Sequence, residues 1–407
     1  MFIRFFLYLG IAGLCTCTGF LAILAIALFR FRRPVPASSV SFIDLPPVTL
    51  LKPLCGLEPN LRENLASFFD QQYPSFEIIF GMRDDTDPAL QVLRSVQRDF
   101  PAVPVKVVFS GNPQWPNAKV WSLEKMCAQT RHPYLVISDS DVRVDRNYIE
   151  EVVRPLLNPA TGLVTCLYRG IPTGGLWSRL EALGMSIEMT AGVLASDLLE
   201  GMKFALGPTM AIRTDVLDAI GGMAVLGDYC ADDYVLGNLV YNAGWKVELS
   251  RHAIDHVVLN RSFKSSILHQ VRWMKSARFS RPLGHIASVL SFGMPFALLA
   301  AAAAATLHHP LLALVLLACG LLNRSLLAVL AGGIAVGDRN AIRYFWLFPL
   351  RDLMGFSFWA LSFFGNTVLW RNRVYELHAG GKMIPVRSTV ETDVDADSTP
   401  VAVDHLA

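Results

Sequence analysis

Apolar positions along this chain follow two patterns, one of long unbroken stretches and one of short runs between polar segments. Phe5 to Phe29 carries no charge and is long enough to cross a bilayer, which takes about 20 apolar residues. A cleaved signal peptide is the competing reading. It is rejected because the stretch exceeds a signal core of roughly 7–15 residues and no Ala-x-Ala-like site precedes the basic cluster.

After the polar, proline-containing segment Arg33 to Pro47 come the runs Val48-Thr-Leu-Leu51, Phe76-Glu-Ile-Ile-Phe80, Val105-Lys-Val-Val-Phe109 and Tyr134-Leu-Val-Ile-Ser138. They are short, apolar and rich in β-branched residues, and they predict strands. Helical stretches at Asn60 to Gln71, Ala89 to Phe100 and Val120 to Thr130 separate them. This alternation predicts an α/β fold with a mostly parallel sheet covered on both faces, whose ligands sit beyond the carboxyl ends of the strands. No GxGxxG follows any strand, which disfavours a dinucleotide fold.

Farther on, Trp177 to Phe204 reads as a helix rich in Met, Leu and Ala, suited equally to the sheet and to lipid. Arg261, Phe263, Lys264, His269, Arg272, Trp273, Lys275, Arg278, Phe279 and Arg281 give 261–281 the mixture of cations and aromatics of an interfacial helix. Ile286 to Val336 fits two spans joined by a turn at His308-His309-Pro310, with the histidines as turn residues. Leu353 to Trp370 is near the minimum length for a span, and basic residues on both sides (Arg351, Arg371, Arg373) leave it crossing or re-entrant. From Gly380, with the acidic stretch Glu391 to Asp397, the chain reads as a disordered tail. The expected division is an anchor at 1–33, a linker at 34–47, a catalytic unit with an interfacial helix at 48–285, a membrane region at 286–377 and a tail at 378–407.

Composition agrees with the membrane reading: 53% of the 407 residues are hydrophobic and 17% charged. Arg30, Arg32 and Arg33 follow the first span and only Arg4 precedes it, so the positive-inside rule puts the downstream region in the cytoplasm. A net charge of +2 leaves no footprint for nucleic acid. The seven cysteines show no CxxC pair, and their odd number fits reduced thiols packed in a core.

Candidate chemistry begins at Asp139-Ser-Asp141, directly after the last predicted strand. Residues i and i+2 of an extended segment point the same way, so both carboxylates can face one divalent cation, Mg2+ or Mn2+, whose preferred ligands are carboxylate and phosphate oxygens. An acidic loop, Arg83-Asp-Asp-Thr-Asp-Pro88, follows another strand and can reach the same crevice.

With Leu51-Lys-Pro-Leu-Cys-Gly-Leu-Glu-Pro-Asn60, Asn117-Ala-Lys119, Cys230-Ala-Asp-Asp-Tyr234 and Arg272-Trp273, these loops occur in the order of a known family. The chain resembles the ceramide glucosyltransferases and their bacterial relatives, of glycosyltransferase families 2 and 21, over roughly residues 48–275 and with membrane spans on either side. The resemblance implies a GT-A fold, a UDP-sugar donor, a divalent cation at Asp139 and Asp141, and inverting transfer to a lipid hydroxyl at a bacterial inner membrane. Glucose or N-acetylglucosamine is the sugar it suggests, and ceramide or a polyhydroxylated hopanoid the acceptor.

It also assigns roles. Asp84 or Asp87 holds the uracil or ribose, and Lys119 lies near the nucleotide. Asp233 is the base, with Asp232 its competitor if the register is off by one; an N-cap is the bland reading of Asp233. Arg272 holds the diphosphate, and Trp273 stacks near the sugar or acceptor. In His269-Gln-Val-Arg-Trp273 the family has Gln or Arg at the first position, so His269 departs from the pattern; His269 and Gln270 are expected at the acceptor or diphosphate. A processive polysaccharide synthase shares the acidic loops and Arg-Trp but usually needs more spans. A non-catalytic nucleotide- or lipid-binding protein would have lost a base or metal carboxylate.

Overall fold

The computed structural model describes residues 1–33, 40–259, 262–370 and 373–386. Its centre is an eight-stranded sheet in the order β3-β2-β1-β4-β7-β6-β8-β5. The first strands are those the apolar runs predict: β1 (Val48–Pro53), β2 (Phe76–Met82), β3 (Val105–Phe109) and β4 (Tyr134–Ile137), all parallel. Leu50, Leu51, Ile78, Phe80 and Val136 are wholly buried, as strands covered on both faces require.

Beyond β4 the sheet is mixed, which the sequence does not announce. Its other strands are β5 (Val142–Arg143), β6 (Thr161–Pro172), β7 (Met210–Arg213) and β8 (Lys246–Val258). β7 runs antiparallel between β4 and β6, while β6 and β8 are parallel to each other. β8 escapes a hydrophobic scan because Glu248, Arg251, His252, Asp255 and His256 interrupt it. The reversal at β7 matters for the site. Ile137 pairs with Met210, so the segment leading into β7 arrives where β4 ends.

Leu176–Glu200 is one long helix with a π-helical segment at Gly184–Met189. It packs on β6 and also against the apolar helix Phe2–Phe31, so protein takes up both of its ends. Helix Phe263–Ser280 begins at a capping box made by Ser262 and Ser265; Arg261 lies outside the described residues. Helices Met294–Thr306 and Pro310–Leu327 flank the expected turn, where His308 (φ 62°) and His309 are exposed. Among the described residues three helices, Phe2–Phe31, Leu176–Glu200 and Pro310–Ala335, are long and apolar enough to cross a membrane. The bent pair Pro282–Ser291 and Met294–Thr306 makes a fourth if it is one span.

Three expectations change. Leu353 to Trp370 is not one helix: Phe348–Leu361 has 14 residues, and β9 (Thr367–Trp370) follows. At 1.5 Å per residue that helix spans about 21 Å, short of a hydrocarbon core of about 30 Å. The chain from Gly380 is ordered as far as it is described, because β9, β10 (Arg373–Leu377) and β11 (Met383–Pro385) form an antiparallel sheet. That sheet is held through Met383 N donating to Asp228 O (2.7 Å) and Cys230 N donating to Gly381 O (3.1 Å). Most of the linker (34–39), Arg371 and the acidic stretch Glu391 to Asp397 lie outside the described residues. Finally, all seven cysteines are free, but Cys15, Cys55 and Cys319 are exposed rather than packed in the core.

Helix Asp232–Asn242 crosses so close to the segment leading into β7 that a Cβ at Gly237 would lie 2.4 Å from Phe204 Cα and 2.5 Å from Ala205 N. Alanine gains about 1 kcal/mol of helix propensity over glycine, but overpacking costs about 1–3 kcal/mol, and backbone yields less readily than a side chain. Gly237→Ala therefore lowers stability by a net ~1–2 kcal/mol, measured as a depressed unfolding temperature of the detergent-solubilised protein; an unchanged or raised temperature refutes the close approach.

Candidate active site

The carboxyl ends of β1 and β4 and the start of β7 meet at one crevice. Asp139 leaves β4 with its Oδ1 2.7 Å from Lys119 Nζ, and the same amine lies 3.6 Å from Asp232 Oδ2. Lys119 is in the first turn of helix Ala118–Cys127, whose cap Asn117 accepts from the Lys119 and Val120 amides. Asn117 Nδ2 also donates to Asp232 Oδ1 (3.2 Å), so one cap orients both lysine and aspartate. The Lys119 side chain is 15% exposed, not the surface lysine its position at a helix start suggests by default. Against the cost of burial, Asp139 and then Asp232 hold its amine above the ordinary lysine range.

Asp233 lies in the first turn of its helix, inside rather than at the cap, which is Ala231. Its Oδ2 accepts from Gly207 N (2.7 Å) and its Oδ1 from Tyr234 N (2.8 Å). A Cβ at Gly207 would lie 3.2 Å from Asp233 Oδ2 and 3.4 Å from Asp139 Oδ2, so the two carboxylates flank one glycine. Burial, reinforced by Asp232, pushes the Asp233 carboxyl up to about 6. A carboxylate with that value is suited to accept a proton near neutral pH.

Asp141 departs from the expected extended segment. Ser140 and Asp141 form a turn, because Val142 pairs with His256 of β8. Asp141 Oδ2 consequently meets His256 Nε2 at 3.2 Å. Despite burial, His256 holds the Asp141 carboxyl below its usual range, and Asp141 in turn raises His256. Asp141 Oδ1 is buried without a hydrogen-bond partner. Among the described residues no three His, Cys, Asp or Glu side chains converge as a ready-made metal cage. The donor set still fits a hard cation: Mg2+ and similar ions commonly use one or two carboxylates and complete their shell with phosphate oxygens and water.

A comparison with protein-family models matches residues 12–383 to the one described as Glycosyl transferase family 21. The chain belongs to glycosyltransferase family 21. Ceramide glucosyltransferase 3 of Caenorhabditis elegans is 24% identical to it over 377 residues, 91% of this chain and 80% of that protein. Ceramide glucosyltransferase 1 of the same organism is 29% identical over 213 residues, 51% of this chain and 45% of its own length. Among solved structures, a mannosyltransferase from Pyrobaculum calidifontis in complex with GDP-Man and Mn2+ superposes with a TM-score of 0.56. It is 17% identical and covers 88% of this chain and 99% of its own. The likeness shows the fold, which is GT-A with apolar helices before and after it.

The remaining candidates of this family 21 chain are placed as follows. Asp84 is exposed and closes a turn, accepting from the Thr86 amide (3.0 Å). Both Asp87 oxygens accept from Gly56 N (3.1 and 3.0 Å), which ties the acidic loop to the loop after β1. Arg272 has its guanidinium 5.7 Å from the centre of the Trp370 ring, and Trp273 packs at the edge of the core. His269 Nδ1 meets Glu181 Oε1 at 2.7 Å, and Gln270 is buried.

Four residues were missed as site candidates. Lys52, fully buried in β1, donates to Asp139 O (2.6 Å), and burial lowers its amine to about 7. Glu58, raised to about 7 by burial and then by Asp141, keeps Oε2 buried without a partner. His256 and Glu181 complete the set. A lysine inside an apolar strand and one buried acid early in an apolar helix were the available signals.

Lys119 offsets repulsion between Asp139 and Asp232, and Asp139 is 29% exposed. The loss on removing Lys119 should thus fall between the ~1 kcal/mol of surface pairs and the ~3–5 kcal/mol of buried ones. Lys119→Met is expected to lower unfolding stability by about 2 kcal/mol in chemical denaturation, and a loss below about 0.5 kcal/mol argues against the bridge.

Proposed function

We propose that this glycosyltransferase moves one sugar, glucose or N-acetylglucosamine, from a UDP-sugar to a hydroxyl of a membrane lipid, ceramide or a polyhydroxylated hopanoid, with inversion. The observation that carries the reading is Asp233, raised to about 6 and set beside Asp139 across Gly207. One carboxylate faces the acceptor proton while the other stands at the donor's diphosphate.

In this reading Asp233 takes the proton of the lipid hydroxyl as the oxygen attacks the anomeric carbon from the face opposite the departing UDP. The hydrogen bonds from Gly207 N and Tyr234 N hold its carboxylate in place for that transfer. Asp232 is turned away from the proton by Asn117 and Lys119, which favours Asp233 as the base. Lys119 and Arg272 supply positive charge for the diphosphate, with His269 and Gln270 on the acceptor and diphosphate side. Trp273 offers a face for the sugar or acceptor. Asp84 is open to the nucleoside, whereas Asp87 already shapes the loop. Asp139 and Asp141 would hold a Mg2+ or Mn2+ ion, which when bound neutralises charge on the leaving UDP. Mn2+ in the mannosyltransferase of the same fold supports that assignment. The apolar helices and the arginines after the first of them favour a multi-pass protein with its catalytic region on the cytoplasmic face of a bacterial inner membrane.

The test is transfer from radiolabelled UDP-sugars into extracted lipids by membranes expressing the chain, with and without EDTA, followed by mass spectrometry. A single-sugar lipid that disappears with EDTA and returns with Mg2+ or Mn2+ is expected. Polymer would instead indicate a synthase, and UDP binding with no incorporation from any donor a binding protein.

Asp233→Asn should lose about 10²- to 10⁴-fold in transfer while retaining UDP binding. For the wild type, kcat/KM should fall as pH drops through about 6, because Asp233 must be ionised to act as base. A profile flat from pH 5 to about 8 would remove Asp233 from that role.

A further inference from the structure

Helix Phe263–Ser280 is fastened to neighbouring helices at two consecutive residues. Glu181, with its side chain 1% exposed, accepts from His269 Nδ1 at 2.7 Å. One residue on, Gln270 Oε1 accepts from Arg351 Nη2 (3.1 Å), a nitrogen also 2.8 Å from Glu188 Oε2. Glu181 and Glu188 belong to the same helix, and the π-helical turn at Gly184–Met189 carries the second of them. π-Bulges interrupt helices at a cost and are frequent at functional sites.

Space is made for this arrangement. A Cβ at Gly184 would lie 2.4 Å from Arg351 Nε, and one at Gly355 would lie 3.0 Å from Glu188 Oε1. Stability does not account for it. A buried ion pair rarely outperforms apolar side chains of the same volume, and here Arg351 Nε, Arg351 Nη1 and Glu188 Oε1 are buried without partners. The network does orient particular groups. A carboxylate at Nδ1 sets the proton on that nitrogen and fixes the ring plane. The His269 side chain is 34% exposed, and its ring centre lies 4.5 Å from that of Trp273. Arg272 immediately precedes Trp273.

We propose that Glu181 and Arg351 are positioning residues for sugar transfer. Glu181 orients the His269 ring, and Arg351, anchored by Glu188, holds Gln270, so the two together fix the turn of helix that presents His269, Arg272 and Trp273. The proposal rests on the transferase reading above. A displacement of about 1 Å at such a turn is enough to cost about 10²-fold in rate.

The test uses the full chain in detergent or nanodiscs and measures kcat, KM for the UDP-sugar, UDP affinity and unfolding temperature. Glu181→Gln should lower kcat about 10- to 100-fold with UDP affinity nearly unchanged. Adding it to His269→Ala should cost nothing more than His269→Ala alone, because the two act as a unit. Arg351→Lys, which keeps a donor and the charge, should retain more activity than Arg351→Met. A wild-type kcat in Glu181→Gln, or losses that multiply in the double variant, overturns the proposal. So does an Arg351→Met variant with wild-type kcat. Should the buried variants not fold, His269→Ala alters only a partly exposed ring, and a wild-type kcat there also overturns it. A wild-type protein that transfers no sugar is a separate failure and removes the transferase reading itself.

Discussion

Crowding of negative charge at the end of one sheet is the condition the catalytic region has to satisfy. Beyond burial, Asp141 and Asp139 disfavour the ionised form of Glu58, Asp141 and Asp232 that of Asp139, and Asp232 that of Asp233. At an effective dielectric of about 20, two unit charges about 4 Å apart repel by roughly 4 kcal/mol. Three basic side chains face it from three directions. Lys119 stands between Asp139 and Asp232, His256 faces Asp141, and Lys52 comes from beneath to the Asp139 carbonyl. Compensation is incomplete, and burial, reinforced by the neighbouring carboxylates, still raises the carboxyls of Glu58 and Asp233. A site with leftover negative charge and a buried, unpartnered Asp141 oxygen suits a divalent ion and poorly suits a bare diphosphate.

The sheet geometry delivers these groups, and part of it was readable. Runs such as Phe76 to Phe80 and Tyr134 to Ser138 are apolar because both faces are covered, so β1 to β4 and the loops after them stood out. The second half did not. β6 is broken by Gly162 and Gly170, and β8 carries charge at Glu248, Arg251 and Asp255, so neither reads as a central strand. Their pairing is non-local: Thr165 with Met210, and Arg169 with Asp255. That is why His256 and Gly207 were invisible as site residues while Asp139, directly after an apolar run, was not. Glu181 and Lys52 were hidden differently, inside elements whose apolar neighbours made them look structural.

Polar groups in the apolar C-terminal region obey a stricter rule, since hydrocarbon supplies no hydrogen bonds. Asp352 Oδ2 accepts from Gly293 N (3.0 Å) and Met294 N (2.7 Å) and so closes the amino end of helix Met294–Thr306. Its Oδ1 binds Arg324 (2.8 Å), both side chains being 1% exposed, and Arg324 reaches on to Ser291 O (2.8 Å). The break that bends Pro282–Ser291 against Met294–Thr306 by 49° is thus backbone freed from a helix and satisfied by one ion pair. Read from sequence alone, Arg351-Asp352 looked like a flank of a short span. In the fold the two residues face different tasks, Asp352 towards the bend and Arg351 towards Gln270.

These two polar networks meet in helix Phe348–Leu361, and that meeting constrains how a lipid could be served. In the proposed reading, a lipid hydroxyl headed for Asp233 stands at the tip of a sheet while its chains stay in an apolar phase, which asks the protein to hold the sheet and the apolar helices in one fixed relation. Loops cannot supply such a relation, because they yield. Here it is supplied by side chains in helices that belong to both regions. Leu176–Glu200 lies on β6 and on the first apolar helix, and it meets helix Phe348–Leu361 through Glu188 and Arg351. The small sheet β9–β11 adds a second tie, since Lys275 donates to Thr367 O (3.0 Å) while β11 bonds to the loop just before Asp232. Helix Phe263–Ser280 is thereby held from both sides, by the hydrogen bonds of His269 and Gln270 on one and by Lys275 and Arg278, which donate to Thr367 O and Gly365 O, on the other. In the proposed reading, such a frame suits the addition of one sugar, whereas a growing polymer would need it to open after each step.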